Sequence, residues 1–311
     1  MKRILTLTFL IIGTAIVLSI LSPYFLTKAN ILVLVDNMAM EIIAVSGMSF
    51  LLIAGLFDLS IDGVVALTGI TAGMLMGQGT PWPLAILAGM LVGLVAGIIN
   101  GVTVVRFRIN AFIATMTIWW ICAGISLGLT KAISPYGFPE AFQVWGQYRI
   151  GDLKILILYA IPVAAYMSFK LHRGVVGSHI YAMGGNRESA YLAGVNITRL
   201  GIGLYILMGL LASFIGLIMA ARLNVSSIAV VDGMTLKLVA AAVIGGCSLE
   251  GGEGTIVGSI LGLVFMSMLV NAIVLLGLSP FWQKSIVGGI LLAAVLSEKI
   301  KINKLRRNKN A

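Results

Sequence analysis

Charged side chains are scarce in this chain. Only 10% of its 311 residues are Asp, Glu, Lys or Arg, against 59% hydrophobic, and the mean hydropathy is +1.07. A water-soluble protein of this length needs far more charge to cover its surface, so a soluble globular fold is excluded. Cysteine and histidine number two each. Cys122 and Cys247 lie in apolar or Gly-rich surroundings, and His172 and His179 share no cluster with them. A disulfide framework and a metal site are therefore not expected. There is also no Gly-x4-Gly-Lys-Ser/Thr run. The nearest stretch, 246–254, lacks the lysine and puts Glu250 and Glu253 where phosphate would sit. Gly252, Gly254 and Gly258 miss the dinucleotide spacing and follow no βαβ unit. His-Glu-x-x-His and nucleophile-elbow motifs are missing as well. The chain is expected to be neither an enzyme nor the holder of a cofactor.

What the chain does have is long apolar runs. A helix needs about 20 apolar residues to cross a bilayer, and ten runs qualify as spans: 4–21, 34–55, 62–78, 84–105, 111–130, 154–171, 199–221, 233–247, 255–277 and 281–297. Breakers at Ser22-Pro23, Gly79–Pro83, Ser134-Pro135 and Ser279-Pro280 fit the gaps. The eighth run is short enough to be broken or re-entrant. The expected fold is an all-α polytopic membrane protein, with a single membrane domain over 1–298 and a basic tail over 299–311. The first run follows Lys2 and Arg3 and has no small-residue cleavage site after it, so it reads as a retained helix.

The net charge of +10 does not point to nucleic acid, because it clusters at the ends of spans, where it sets orientation and touches anionic lipid. With both termini in the cytoplasm, 14 of the 21 Lys and Arg residues fall there. The positive-inside rule therefore favours that orientation. Glycine is plentiful, with 37 residues. Ala85, Gly89, Gly93, Gly97 and Gly101 recur every fourth position, as do Gly69, Gly73 and Gly77, and Gly254, Gly258 and Gly262. That spacing puts small residues on one helix face, where helix backbones approach closely.

Polar groups inside the spans are the candidates for a translocation pathway: Asn37, Glu41, Ser46, Ser49, Asn100, Trp119, Asn271 and Gln283. Amides, hydroxyls and aromatic rings suit a neutral polyhydroxylated solute, and equally suit helix–helix hydrogen bonds. Lys237 is placed to snorkel or to pair with Asp232. Phe138, Phe142, Trp145 and Tyr148 on the longest outer loop read as interface anchors or as contacts for an external partner. Two Gly-rich turns, containing Asp58, Ser60 and Gly63 and then Gly245, Gly246, Ser248, Gly251 and Gly252, are expected at the cytoplasmic ends of span pairs and hint at a duplicated architecture. The mid-chain loop 172–199 is unusual in carrying its own helix signals. Asn186 suits an N-cap, Glu188 a first turn, and Gly194 a stop. Such a loop on the basic side suggests a docking surface for a soluble partner.

Four stretches together resemble the permease subunits of bacterial ABC importers of the ribose, xylose and autoinducer-2 branch, which are related to the branched-chain amino-acid permeases. They are Gly55–Gly63; Asn100-Gly101 through Thr115; Tyr181–Val195; and Val239–Gly254. The resemblance runs over roughly residues 30–298. It implies that Gly184, Gly185, Asn186, Arg187, Glu188, Ser189, Ala190 and Gly194 form a coupling loop against an ABC ATPase subunit, which binds ATP and Mg. It also implies a second permease subunit, identical or not, an extracytoplasmic substrate-binding protein, and a plasma (inner) membrane location. The sequence departs from the family pattern at Phe57, Asp62, Asn110-Ala111, Trp119-Trp120 and Ser189. A monosaccharide such as ribose is the favoured cargo, with a nucleoside or autoinducer-2 as alternatives. Outside this family, an ion- or proton-coupled transporter using Asp36 and Glu41, or a membrane scaffold, stays open.

Overall fold

In the computed structural model, residues 2–279 and 281–310 are described. Pro280 and the side chains of Lys2, Arg3, Lys301, Lys304, Arg306, Arg307 and Lys309, to which breaker and orientation roles were assigned, lie outside the described residues. The described chain is helical almost throughout: α1 (Lys2–Leu21), α2 (Lys28–Ile53), α3 (Ile61–Gly77), α4 (Trp82–Gly101, continued to Arg106 as a π-turn), α5 (Ala111–Thr130), the short α6 (Glu140–Gln147), α7 (Leu156–Arg173), α8 (Val175–Gly185), α9 (Arg187–Leu192), α10 (Ile197–Leu223), α11 (Met234–Gly245), α12 (Ile256–Leu275) and α13 (Trp282–Asn310). A two-residue-per-strand hairpin, Arg149–Ile150 with Leu153–Lys154, precedes α7. Side chains set many boundaries: Thr27, Asn110, Asn186, Asn196 and Thr255 each accept a hydrogen bond from a first-turn N–H.

Among the described residues, seven helical runs are long and apolar enough to cross a membrane. The expected third and tenth spans form shorter apolar helices, Ile61–Gly77 and Trp282–Leu296. The sixth, α7, carries Lys170, His172 and Arg173 in its last turn. The expected tail is a continuation of α13 to Asn310.

One core helix is half-length. α10 has 27 residues and α11 only 12, or about 40 Å against about 18 Å at 1.5 Å per residue. The chain reaches α11 through a mostly non-helical descent over 224–233, and reaches α3 through an extended segment over 56–60. The eighth run is thus the short α11 preceded by the 3-10 turn at Ile228–Val230, and Ile228–Gly245 together is still among the seven runs. α10 packs on α3 and α4, while α2 packs on α11 and α12; α3 also meets α5 as α11 meets α13. Arg222, at the end of α10, bonds Asp36 and Asn37 in the first half of α2, so the two long helices are antiparallel. Of the first Gly-rich stretch, Gly55 lies against Glu250 and Gly251, whereas Asp62 bonds Gly233 and Thr235 at the start of α11.

The α4 glycines form a seam. A Cβ on Gly93 would stand 2.1 Å from the Gly209 carbonyl oxygen, and one on Gly97 2.6 Å from that of Tyr205. Gly258 and Gly262 do the same for α11. Gly77 faces open space, and Gly254 lies ahead of its helix at φ +147°; both fall outside the seams assigned to them.

Candidate functional site

At one pole of the bundle, three segments distant in sequence converge on glycine. The Gly252 N–H donates to the Ile53 carbonyl at 2.8 Å. A Cβ on Gly184 would stand 1.8 Å from that oxygen and 2.6 Å from Gly252 N. Gly55, Gly251 and Gly252 all have positive φ, which glycine adopts without strain. Tyr181 Oη donates to the Gly254 carbonyl at 2.7 Å, tying α8 to the same turn. Burial first, and the neighbouring Cys247 second, push this phenol up, so it stays a donor. Gly245 abuts Gly258, Gly246 takes φ +112°, and Ser248 Oγ accepts from the Glu250 N–H.

From this knot projects α9. Asn186 Oδ1 accepts from the Ser189 N–H at 2.9 Å, Glu188 occupies the first turn, Ala190 is buried as the anchor, and Gly194 turns the chain at φ +85°. Gly185, Arg187, Glu188 and Ser189 are exposed, and so are Tyr191 (69%) and Leu192 (79%). Clefts of about 670 and 600 Å³ flank Tyr191, lined by Arg108, Arg187 and Glu188 on one side and by Arg106, Asn196 and Arg199 on the other. Sequence reading missed Tyr191 and Leu192; two large apolar residues on the polar face of a capped turn were the available signal.

Residues expected along a pathway are dispersed. Ser46 bonds back to the Ile42 carbonyl, and Ser49 bonds the Val45 carbonyl and Ser259, all inside the core. Asn271 and Asn30 exchange reciprocal amide bonds of 2.8 and 3.0 Å. Asn37 accepts from Arg222 at 2.7 Å. Gln283 is half-buried on the first turn of α13. Glu41 is engaged by Lys237 Nζ at 2.8 and 2.7 Å and by Ser267 at 3.3 Å. Lys237 thus pairs with Glu41, whereas Asp232 pairs with Lys284. A proton relay through Glu41 would have to break this pair. Phe138 and Phe142 are buried against α3 and α10, not presented to a headgroup layer or a partner.

Asp58 and Ser60 do not join the glycine knot. Asp58 Oδ1 accepts from the Ser60 N–H and Oγ–H at 2.7 and 2.6 Å, and Asn100 Nδ2 donates to Ser60 Oγ at 2.8 Å, all deep in the bundle. The first turn is only Gly55 and its neighbours; beyond it the chain climbs inward. At its top the N-termini of α3 and α11 meet. The Gly233 N–H and the Thr235 N–H and Oγ–H donate to the Asp62 carboxylate at 3.1, 2.8 and 2.6 Å, and the Asp62 N–H returns a bond to Thr235 Oγ1 at 3.3 Å. The N-terminus of α11 begins with N–H groups that lack an intrahelical partner and with a positive dipole end, and the buried Asp62 carboxylate, carried on the first turn of α3, serves it. Beside this junction opens a cleft of about 220 Å³ against α5, with Trp119 in its wall and Gly63 beneath the indole.

The family model described as the branched-chain amino acid transport system permease component matches residues 30–296. The chain is 34% identical to the ribose import permease protein of Escherichia coli strain K12 over 292 residues, 92% of this chain and 90% of that protein. It is 34% identical to the ribose import permease protein of Bacillus subtilis strain 168 over 92% and 89%. It is 32% identical to the L-arabinose ABC transporter permease protein of Azospirillum brasilense over 94% and 86%.

Proposed function

This chain belongs to the branched-chain amino acid transport system permease family, and on that premise we propose that it is the membrane-spanning subunit of an ATP-driven importer of a monosaccharide. It resides in the plasma (inner) membrane. The full-length similarity to permeases named for ribose and L-arabinose supports a sugar cargo. In this reading two permease subunits enclose the pathway, a binding protein delivers sugar from outside, and two ATPase subunits hold ATP and Mg at the cytoplasmic face. This chain contributes no cofactor. The positive-inside count supports a cytoplasmic α8–α9 pole.

The observation that carries the reading is α9, which is capped at Asn186, stopped at Gly194, anchored by Ala190, and bares Tyr191 and Leu192. Large apolar groups presented at a water-facing pole call for a partner. Gly184 and Gly185 end α8 where Ile53 and Gly252 touch it, so a push on α9 reaches α2 and the turn leading into α12 without a flexible link. Such a push selects between two packings of the helices.

Purification in a gentle detergent tests the assembly: an ATP-binding cassette subunit is expected in near-equal amount, and recovery of the chain alone from several detergents would overturn it. Charge reversal, Glu188→Lys, is expected to cut ATP-driven uptake while membrane insertion stays normal. Unchanged uptake would remove Glu188 from the docking surface.

A further inference from the structure

We propose that the cleft beside the α3–α11 junction is a transit site for one sugar ring, with the Trp119 indole stacked on the ring's C–H face and the Asp232 carboxylate accepting its hydroxyls. The inference rests on the importer reading and names the point where that importer touches its cargo.

Depth is the first ground. Asp62 precedes Val65 by about one turn, and the Val65 carbonyl lies 2.4 Å from where a Cβ on Gly216 would stand. Gly216 lies toward the far end of α10 (Ile197–Leu223), so Asp62 and the cleft sit near the helix's mid-height. Asp232 lines the same cleft with 44% of its side chain exposed. A charged side chain facing hydrocarbon at mid-bilayer costs about 2.5–3.5 kcal/mol on insertion scales. Asp232 and Lys284, on the first turn of α13, form a half-exposed ion pair, so this edge of the cleft looks onto water, as the wall of a pathway does.

The lining is the second ground. Phe112, Met116 and Trp119 stand at i, i+4 and i+7, one face of α5. The indole has a fixed seat, since a Cβ on Gly63 would come 2.9 Å from Trp119 Cδ1 and from its carbonyl oxygen. Lys284 engages Oδ2 of Asp232, and Oδ1 is available to accept a hydrogen bond from a sugar hydroxyl. Asp62 is a positioning residue: its carboxylate is occupied by Gly233 and Thr235 and ties the first turn of α3 to the start of α11 at the edge of the cleft. An aromatic face beside a carboxylate matches the two surfaces of a sugar ring, apolar C–H above and hydroxyls at the rim. The cleft holds about 220 Å³, below the roughly 300–1,000 Å³ of drug-sized pockets. A conduit needs such a one-walled, weak site, because cargo must leave as readily as it enters.

The test uses the assembled importer in liposomes, with its ATPase and binding protein, and ATP-driven uptake of labelled D-ribose, L-arabinose, D-galactose and D-allose. Met116→Trp, which fills the cleft, and Trp119→Ala, which removes the stacking face, are each expected to lower uptake by about tenfold or more at equal assembled complex and equal ATPase rate. Trp119→Phe keeps a ring and is expected to stay within about threefold. Asp232→Asn, which keeps the side chain's shape, is expected to raise the half-saturating sugar concentration for release from the loaded binding protein. Uptake unchanged in Met116→Trp and Asp232→Asn overturns the cleft assignment alone. A complex that assembles and hydrolyses ATP yet takes up none of these sugars overturns the monosaccharide reading, and the transit site with it.

Discussion

Lys237→Met is expected to lower the thermal midpoint of the detergent-solubilised protein by on the order of 10 °C, and the double change Glu41→Gln with Lys237→Met to restore most of it. The pair is bidentate, at 2.8 and 2.7 Å, and its side chains are only 9% and 16% exposed. Removing one partner leaves a carboxylate with Ser267 as its remaining donor among its described bonds. Breaking a buried pair this way costs about 3–5 kcal/mol, whereas replacing both charges with uncharged groups of similar volume is often neutral. The pair also pins α11 to α2 just below the α3–α11 junction, so its loss is felt where the helix is shortest. A size-exclusion thermal ramp on the two singles and the double closes the cycle. A double variant no better than Lys237→Met would mean that the pair is not what holds α11 in place.

Along the α4 seam, the expected order of damage is Gly93→Ala worst, Gly97→Ala next and Gly89→Ala least. A Cβ at Gly93 meets Ser213 Oγ at 1.7 Å and the Gly209 carbonyl oxygen at 2.1 Å; at Gly97 it meets the Tyr205 carbonyl at 2.6 Å; at Gly89 it meets the end of Leu217 at 3.0 Å. Backbone cannot step aside as a leucine methyl can, so the first two substitutions must separate α4 from α10. Overpacking of this kind costs about 1–3 kcal/mol and occasionally more. At Gly89 the strain is set against the helix-propensity gain of about 1 kcal/mol for alanine over glycine, leaving stability nearly unchanged. The yield of monodisperse protein for the three variants reads the order directly, and a yield independent of position would sink the seam.

The glycine seam shows how far a repeat carries. Four-residue spacing marked the right face of α4, because a helix brings positions i and i+4 together whatever surrounds them. It marked Gly77 and Gly254 equally, although one faces open space and the other precedes its helix. Spacing records which residues share a face and is silent on what that face meets. The same holds at α9. Asn186 and Gly194 act within a few residues of themselves, so the cap and the stop were legible. The exposure of Tyr191 and Leu192 depends on what fails to cover them, and was not.

The all-helical membrane architecture, the placement of nearly every helix and the capped element at the basic pole follow from local composition. Run length against bilayer thickness, helix breakers and first-turn capping are all short-range physics. The depth of Asp58 and Asp62 and the partner of Lys237 do not. Asp62 and Thr235 are 173 residues apart, and Glu41 and Lys237 are 196 apart. A buried carboxylate must find donors, but which donors reach it depends on how helices distant in sequence interlock. Asp232 lies closer to Lys237 in sequence, yet Lys237 reaches Glu41 across the bundle, because the fold carries Asp232 to the cleft and sets Lys237 against α2.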